Sequence, residues 1–121
     1  MGFAPFLSPD EEGDGTELIS FGEFKPLRVG GTAGQTLVAG VWKLDEPTTS
    51  PLYSSPLGDE TFLILEGSVT ITDIDSGESA TFDRGDMVAW RTGTRTRWEF
   101  HSPFRKFLVV GSAAPQPELP G

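Results

Sequence analysis

Residues 59–83, DETFLILEGSVTITDIDSGESATFD, decide how the rest of the chain is read. Val69 and Ile71 alternate with Ser68, Thr70 and Thr72, and Ala80 and Phe82 alternate with Ser79, Thr81 and Asp83. A period of two marks strands that bury one face and leave the other in water. Between the two runs lies Asp75-Ser76-Gly77, in which the glycine can take a positive φ, so the segment predicts a β-hairpin. Just upstream, Glu60, Phe62 and Ile64 share one parity and are expected on the inner face of a further strand.

Working outward, strands are predicted over residues 35–44, 60–66, 87–91, 96–101 and 106–110, with Gly or Pro punctuation near Pro47, Gly58, Gly67, Gly85, Gly93 and Pro103. No long stripe of period 3.6 occurs. Many short strands at close spacing argue an all-β antiparallel barrel, since closing a sheet removes its exposed edges. Residues 1–15 and 111–121 combine Pro, Gly and acidic residues without periodicity and are predicted to be tails, which leaves residues 16–110 as the domain. A chain of 121 residues suits one core.

Composition narrows the function. There is one histidine and no cysteine, which rules out a histidine-clustered metal site, thiolate zinc and a thiol nucleophile. The net charge of −9 repels phosphate backbones and anionic membranes, so neither nucleic acid nor membrane is expected as a partner. Six of the nine basic residues fall at Arg84, Arg91, Arg95, Arg97, Arg105 and Lys106. They read as solvated strand faces, with a small-anion site as the alternative. The longest apolar run, residues 62–65, is far below the roughly 20 residues of a membrane helix. The opening MGFAPFLSPDEEGDG has neither a basic n-region nor an apolar run, and Phe6 stands where a myristoylation signal wants Ser or Thr. A soluble, cytoplasmic protein is expected.

Two motifs fail on inspection. The glycine-rich GGTAG at residues 30–34 precedes the strand-like QTLVAGVW rather than the helix that a dinucleotide loop requires. Asp73-Ile74-Asp75-Ser76-Gly77 opens like a calcium loop, but the closing carboxylate position falls on Arg84. His101 has the parity opposite to Thr96, Trp98 and Phe100 and is expected to face out.

In residues 40–110 the segments GVWKL, GDETFLILEGSVTITD, DRGDMVAWRTGTRTRWEF and SPFRKFLVV follow one another, and in this order they resemble the cupin superfamily. A cupin's first motif carries two histidines, then a Glu and, after six residues, a Gly; its second runs from a Gly through a Pro and a second Gly to a histidine. Six residues lie between Glu60 and Gly67 and seven between Gly85 and Gly93, so both skeletons match. The ligand positions do not: Tyr53 and Ser55 (or Ser54 and Pro56) stand in the first histidine places, Thr96 in the third, and Arg91 replaces the proline. The order of motifs is similar to that of small single-domain cupins related to the C-terminal cupin of (S)-ureidoglycine aminohydrolase. The resemblance implies a jelly-roll, RmlC-like barrel with Glu60 pointing inward. It also implies a manganese site whose histidines this chain lacks.

A lone carboxylate among neutral groups competes poorly with water for a divalent ion, so no metal and no other cofactor is expected. Buried, it needs hydrogen bonds or a cation, otherwise desolvation raises its pKa. Tyr53, Ser55, Thr96 and Lys106 are the candidate partners. The phase of residues 104–110 is open, because Phe107 and Val109 compete with Lys106, Leu108 and Val110 for the inside. Phe62, Trp98 and Phe100 share the inward parity of Glu60 and Thr96, so aromatic faces and a carboxylate are expected to line one mouth. Trp42 and Trp90 are expected in the barrel wall.

The leading functional expectation is binding of a small polar metabolite without metal, at Tyr53, Ser55, Glu60, Phe62, Thr96, Trp98 and Lys106. Glu60 and Tyr53 are the candidates for any acid–base chemistry. The alternatives are a noncatalytic homodimeric accessory module, with residues 18–21 as an intersubunit strand, and a hydrolase acting on ureido or related nitrogen compounds.

Overall fold

The computed structural model describes residues 2–119. Ten strands in two antiparallel sheets make up the fold, and the described residues contain no helix. In chain order the strands are β1 (Ala4–Pro9), β2 (Leu18–Val29), β3 (Gln35–Leu44), β4 (Thr48–Thr49), β5 (Asp59–Glu66), β6 (Ser68–Asp73), β7 (Ser79–Asp83), β8 (Met87–Trp90), β9 (Thr96–Phe100) and β10 (Phe104–Pro115). One sheet has the order β1-β2-β3-β10-β5-β8 and the other β4-β9-β6-β7. This is the jelly-roll cupin architecture.

The hairpin read from period two is β6–β7, with Val69 opposite Phe82 and Ile71 opposite Ala80. Gly77 in its turn has φ 76°, and its N–H donates to the Asp73 carbonyl. In β5 the buried residues are Glu60, Phe62 and Ile64, and in β9 they are Thr96, Trp98 and Phe100. The two inner faces meet through Phe62 and Trp98, whose ring centroids lie 5.2 Å apart. Trp42, Phe100 and Phe104 extend the same aromatic core.

The open phase of the last strand is resolved: Phe104, Lys106, Leu108 and Val110 are buried, whereas Phe107 is 36% exposed. Three apolar side chains share the parity of Lys106, so burying them carries the lysine inward. The other basic residues of that stretch stay outside. Arg95 pairs with Asp75, Arg97 with Glu12, and Arg105 lies 3.7 Å from Glu66. His101 is exposed, its Nε2 2.8 Å from the Thr70 hydroxyl.

Both predicted tails are shorter than expected. Residues 4–9 form β1, an edge strand in which Leu7 stands opposite Ser20 and Ser8 opposite Ile19. Its Pro5 and Pro9 hid the pattern, yet an edge strand tolerates proline because its outward N–H groups need no partner. At the other end β10 runs to Pro115, past the predicted boundary at residue 110, and pairs Val110 with Val38 and Gly111 with Leu37. Residues 1, 120 and 121 of the predicted tails lie outside the described residues. Leu18, Ile19 and Ser20, part of the segment offered as an intersubunit strand, pair along one edge with Pro9, Ser8 and Leu7 of β1 in the same chain.

Candidate functional site

A half-open cavity of about 620 Å³ is lined by β1 and β2, by residues from β3, β9 and β10, by Glu60 of β5, and by parts of residues 50–57 and 117–119. The wall is aromatic and aliphatic. Two charged side chains are buried in it: Glu60 from β5, 1% exposed, and Lys106 from β10, 5% exposed. Lys106 Nζ donates to Glu60 Oε2 at 2.5 Å. The ammonium also lies over three rings, 4.2 Å from the centroid of Trp98, 4.6 Å from Phe62 and 5.5 Å from Trp42. Ring faces carry negative potential and favour a cation there.

Burial holds the Lys106 ammonium below its ordinary pKa, and the adjoining Glu60 carboxylate restores only part of the loss. Glu60 uses one oxygen on this lysine. Its Oε1 is buried and has no hydrogen-bond partner among the described residues. A buried acceptor left unpaired costs on the order of 1–3 kcal/mol, more when it is charged. Glu60, which lines the cavity, therefore keeps one buried carboxylate oxygen without a donor.

Tyr53, reached through the loop before β5, closes one side. Its ring packs edge-on against Trp90 at 5.8 Å and Phe6 at 6.3 Å. Burial, and then the negative charge of Glu60, push the phenol well above its ordinary pKa, with the Ser55 hydroxyl pulling the other way. It stays protonated, as a donor.

Two sequence-predicted residues serve the frame and do not line the cavity. Ser55, at φ 52°, donates its hydroxyl to the Gly58 carbonyl at 2.7 Å and closes the tight turn before β5. The Thr96 hydroxyl donates to the Tyr53 carbonyl at 2.6 Å and accepts from Trp98 Nε1 at 2.9 Å. It thereby holds two cavity residues in place, and its single donor proton is used. Phe62 lies beneath the lysine rather than in the wall. Glu60, Tyr53, Trp98 and Lys106 all line the cavity; parity implied this for Glu60 and Trp98, whereas the phase of Lys106 had been open.

Trp42 corrects the sequence reading. It is 5% exposed, lines the cavity and faces Lys106. Its indole N–H donates to the Phe21 carbonyl at 3.1 Å, where Gly22, at φ 75°, lets β2 cross the ring: a Cβ on Gly22 would fall 2.4 Å from the indole. The alternation of Val38, Gly40 and Trp42 in QTLVAGVW carried this signal. Phe6 and Phe24 also line the cavity and were missed.

The manganese that the sequence resemblance implies does not fit these donors. No group of three His, Cys, Asp or Glu side chains converges among the described residues. Beside Glu60 the positive charge that an ion would supply is already provided by Lys106.

The EutQ-like cupin domain profile matches residues 32–107, more than half of the chain, a range that includes Trp42, Tyr53, Glu60, Trp98 and Lys106 of the cavity. The chain belongs to the EutQ-like cupin family. Among solved structures, this EutQ-like cupin is similar to a DUF861 family protein of Thermotoga maritima, at 31% identity over 58% of this chain and 75% of that one, with a TM-score of 0.53. The ethanolamine utilization protein Q, described as putative, of Salmonella typhimurium matches at 18% identity, covering 93% of this chain and 99% of its own, with a TM-score of 0.61. The cupin domain of Schizosaccharomyces pombe Cnp3 matches at 12% identity over 93% and 88%, with a TM-score of 0.62. These last two likenesses are of fold. Comparison with curated proteins gives no match.

Proposed function

We propose that this EutQ-like cupin binds a small metabolite in the barrel without a metal, and that Glu60 is the polar anchor. One observation carries the reading: Glu60 lines the cavity with Oε1 unpaired, while its other oxygen is saturated by Lys106. A ligand that donates an N–H or O–H to Oε1 relieves a buried, unsatisfied charge, and the aromatic wall takes the rest of it. The ligand is therefore small, carries at least one donor and has an apolar body. A cavity blocked by Trp98, Phe62 and Tyr53 would instead have favoured a noncatalytic accessory module. Hydrolysis of ureido compounds is the narrower reading suggested by the sequence pattern; without histidine ligands it lacks the metal chemistry of the aminohydrolase.

The test is a thermal-shift screen of amines, amides and sugars, followed by calorimetry of each hit on wild type and Glu60→Gln. Loss of a charge-assisted bond should weaken binding by about tenfold to over a hundredfold, or about 1.5–3 kcal/mol. Equal affinity in Glu60→Gln, with binding abolished in Trp98→Ala, would move the site away from the carboxylate.

A further inference from the structure

Lysines are scarce in this chain, at positions 25, 43 and 106, and only Lys106 is buried. Lys43 lies 3.3 Å from Glu23 and 3.5 Å from Asp45, and Lys25 is on β2 with part of its side chain in water. Lys106 lines a 620 Å³ cavity walled by Trp42, Trp98 and Phe24, with its amine against Glu60 Oε2 and with Oε1 of the same carboxylate unpaired. A structural ion pair gains nothing from leaving one oxygen of its carboxylate unsatisfied. An amine that must exchange a proton with a ligand does, because one oxygen takes the proton from nitrogen and the other can reach the ligand.

We propose that Lys106 is a nucleophilic amine that captures an uncharged aldehyde or ketone as an imine, with Glu60 as the proton relay. The proposal rests on the cavity reading above and adds a covalent step to it. In that step the Lys106 ammonium gives a proton to Glu60 Oε2. The freed amine adds to the carbonyl carbon: a C–N bond forms, the C=O π pair moves to oxygen, and a proton passes from nitrogen to that oxygen. The resulting hydroxyl faces Glu60, takes the stored proton and leaves as water while the nitrogen lone pair closes the C=N bond. The sum is a carbonyl compound plus the lysine ammonium giving an iminium and water, with Glu60 returned to its carboxylate and no oxidation or reduction. The lowered pKa of Lys106 acts in the same direction, since less free energy is needed to expose the lone pair. The carbonyl compound should be uncharged, because an anionic group would meet the unpaired oxygen of Glu60. Its body should be apolar or aromatic, to match the wall.

The experiment uses the full chain with benzaldehyde and sodium cyanoborohydride at neutral pH, read by intact mass and peptide mapping over time. The expected result is one benzyl group per chain, on Lys106, while Lys25, Lys43 and the N-terminal amine lag. Glu60→Gln should slow labelling at Lys106 by about a hundredfold, the scale of a lost proton-transfer group. In parallel, benzyl alcohol, of similar shape but without a carbonyl, is tested by thermal shift without reductant. Labelling concentrated on Lys106 in wild type upholds the proposal whatever the thermal shift. Labelling that favours Lys25, Lys43 or the N-terminus overturns it. If Lys106 stays unlabelled while benzyl alcohol stabilises wild type but not Glu60→Gln, covalent capture fails and the noncovalent site stands. With neither label nor shift, covalent capture is overturned and the cavity reading loses its support for ligands of this shape.

Discussion

Glu60 and Lys106 form their ion pair although they are not register partners: Glu60 stands opposite Val110 and Lys106 opposite Ile64 on the neighbouring strand. Phe62 and Leu108 are the pair between them. The lysine stem therefore runs along the cavity across the Phe62 ring to reach the carboxylate, which is why Nζ lies 4.6 Å from that ring. Its methylenes are buried among apolar groups while the charge is delivered elsewhere.

Breaking this pair from either side should not cost the same. Lys106→Met leaves the Glu60 carboxylate buried with no cation, a loss of about 3–5 kcal/mol. Glu60→Gln leaves an amine whose charged form burial already disfavours, so it can shed its proton, and the loss should be about 1 kcal/mol. The double variant Glu60→Gln/Lys106→Met should recover most of the loss seen in Lys106→Met. Urea denaturation of the four proteins closes the cycle, and strictly additive losses would contradict the pairing.

Tyr53 is the single tyrosine, so its titration can be followed without interference. Its pKa is raised by burial and by Glu60, so the folded state holds the proton more tightly than the unfolded one. The associated stability is complete below the unfolded value of about 10 and is lost as pH rises above it toward the folded value. Tyrosinate absorbance should stay flat past that value and then rise together with the loss of far-ultraviolet β signal. An absorbance rise near pH 10 in a still-folded protein would place Tyr53 in water.

Residues 4–9 should matter to stability. Phe6 packs against Phe24 and Tyr53, both at 6.3 Å, and β1 is hydrogen-bonded along β2. Phe6→Ala should cost about 2 kcal/mol, below the range for a fully buried ring because Phe6 is half-buried. Deleting residues 1–12 should cost more, since it also removes the Glu11 bonds to Ser54 and the Glu12 pair with Arg97. Melting temperatures of the two variants decide it; an unchanged value for the deletion would make β1 dispensable.

Purified protein grown with added manganese, zinc, iron and nickel should carry well under one ion per chain by elemental analysis. The reason is positional. A cation beside Glu60 would have to displace the Lys106 ammonium at 2.5 Å and find its other ligands in a largely aromatic wall where Tyr53 offers a neutral hydroxyl, which competes poorly with water. One tightly held ion per chain would require Lys106 to swing out of the cavity.

Much of the architecture was legible because one face of each strand is buried and the side-chain period is two. Residues 68–73 and 79–83 alternate cleanly, with one turn and one glycine between them, so their pairing needed no distant information. The strands β1, β2 and β4 were not legible. β1 carries two prolines, β2 is half-buried along most of its length and shows no alternation, and β4 is two residues long. Of the site, Glu60, Phe62, Thr96 and Trp98 could be oriented because hydrophobic neighbours set their parity.

The amino-acid order by itself determined the all-β class, the inward parity of Glu60 and the absence of a histidine cluster, since each depends on local alternation or on composition. Whether Lys106 or Phe107 turned inward was a contest within one strand, with apolar residues on both faces. It was decided only when β10 settled between β3 and β5, where Phe104, Leu108 and Val110 had a core to fill and Glu60 stood ready as a counter-charge. The roles of Ser55, Thr96 and Trp42 belong to the same level. A hydroxyl serves a ligand or the frame according to which carbonyl lies within 3 Å of it, and an indole lines a cavity or a wall according to which strand crosses it. Such distances join residues up to 43 positions apart, and no local pattern encodes them.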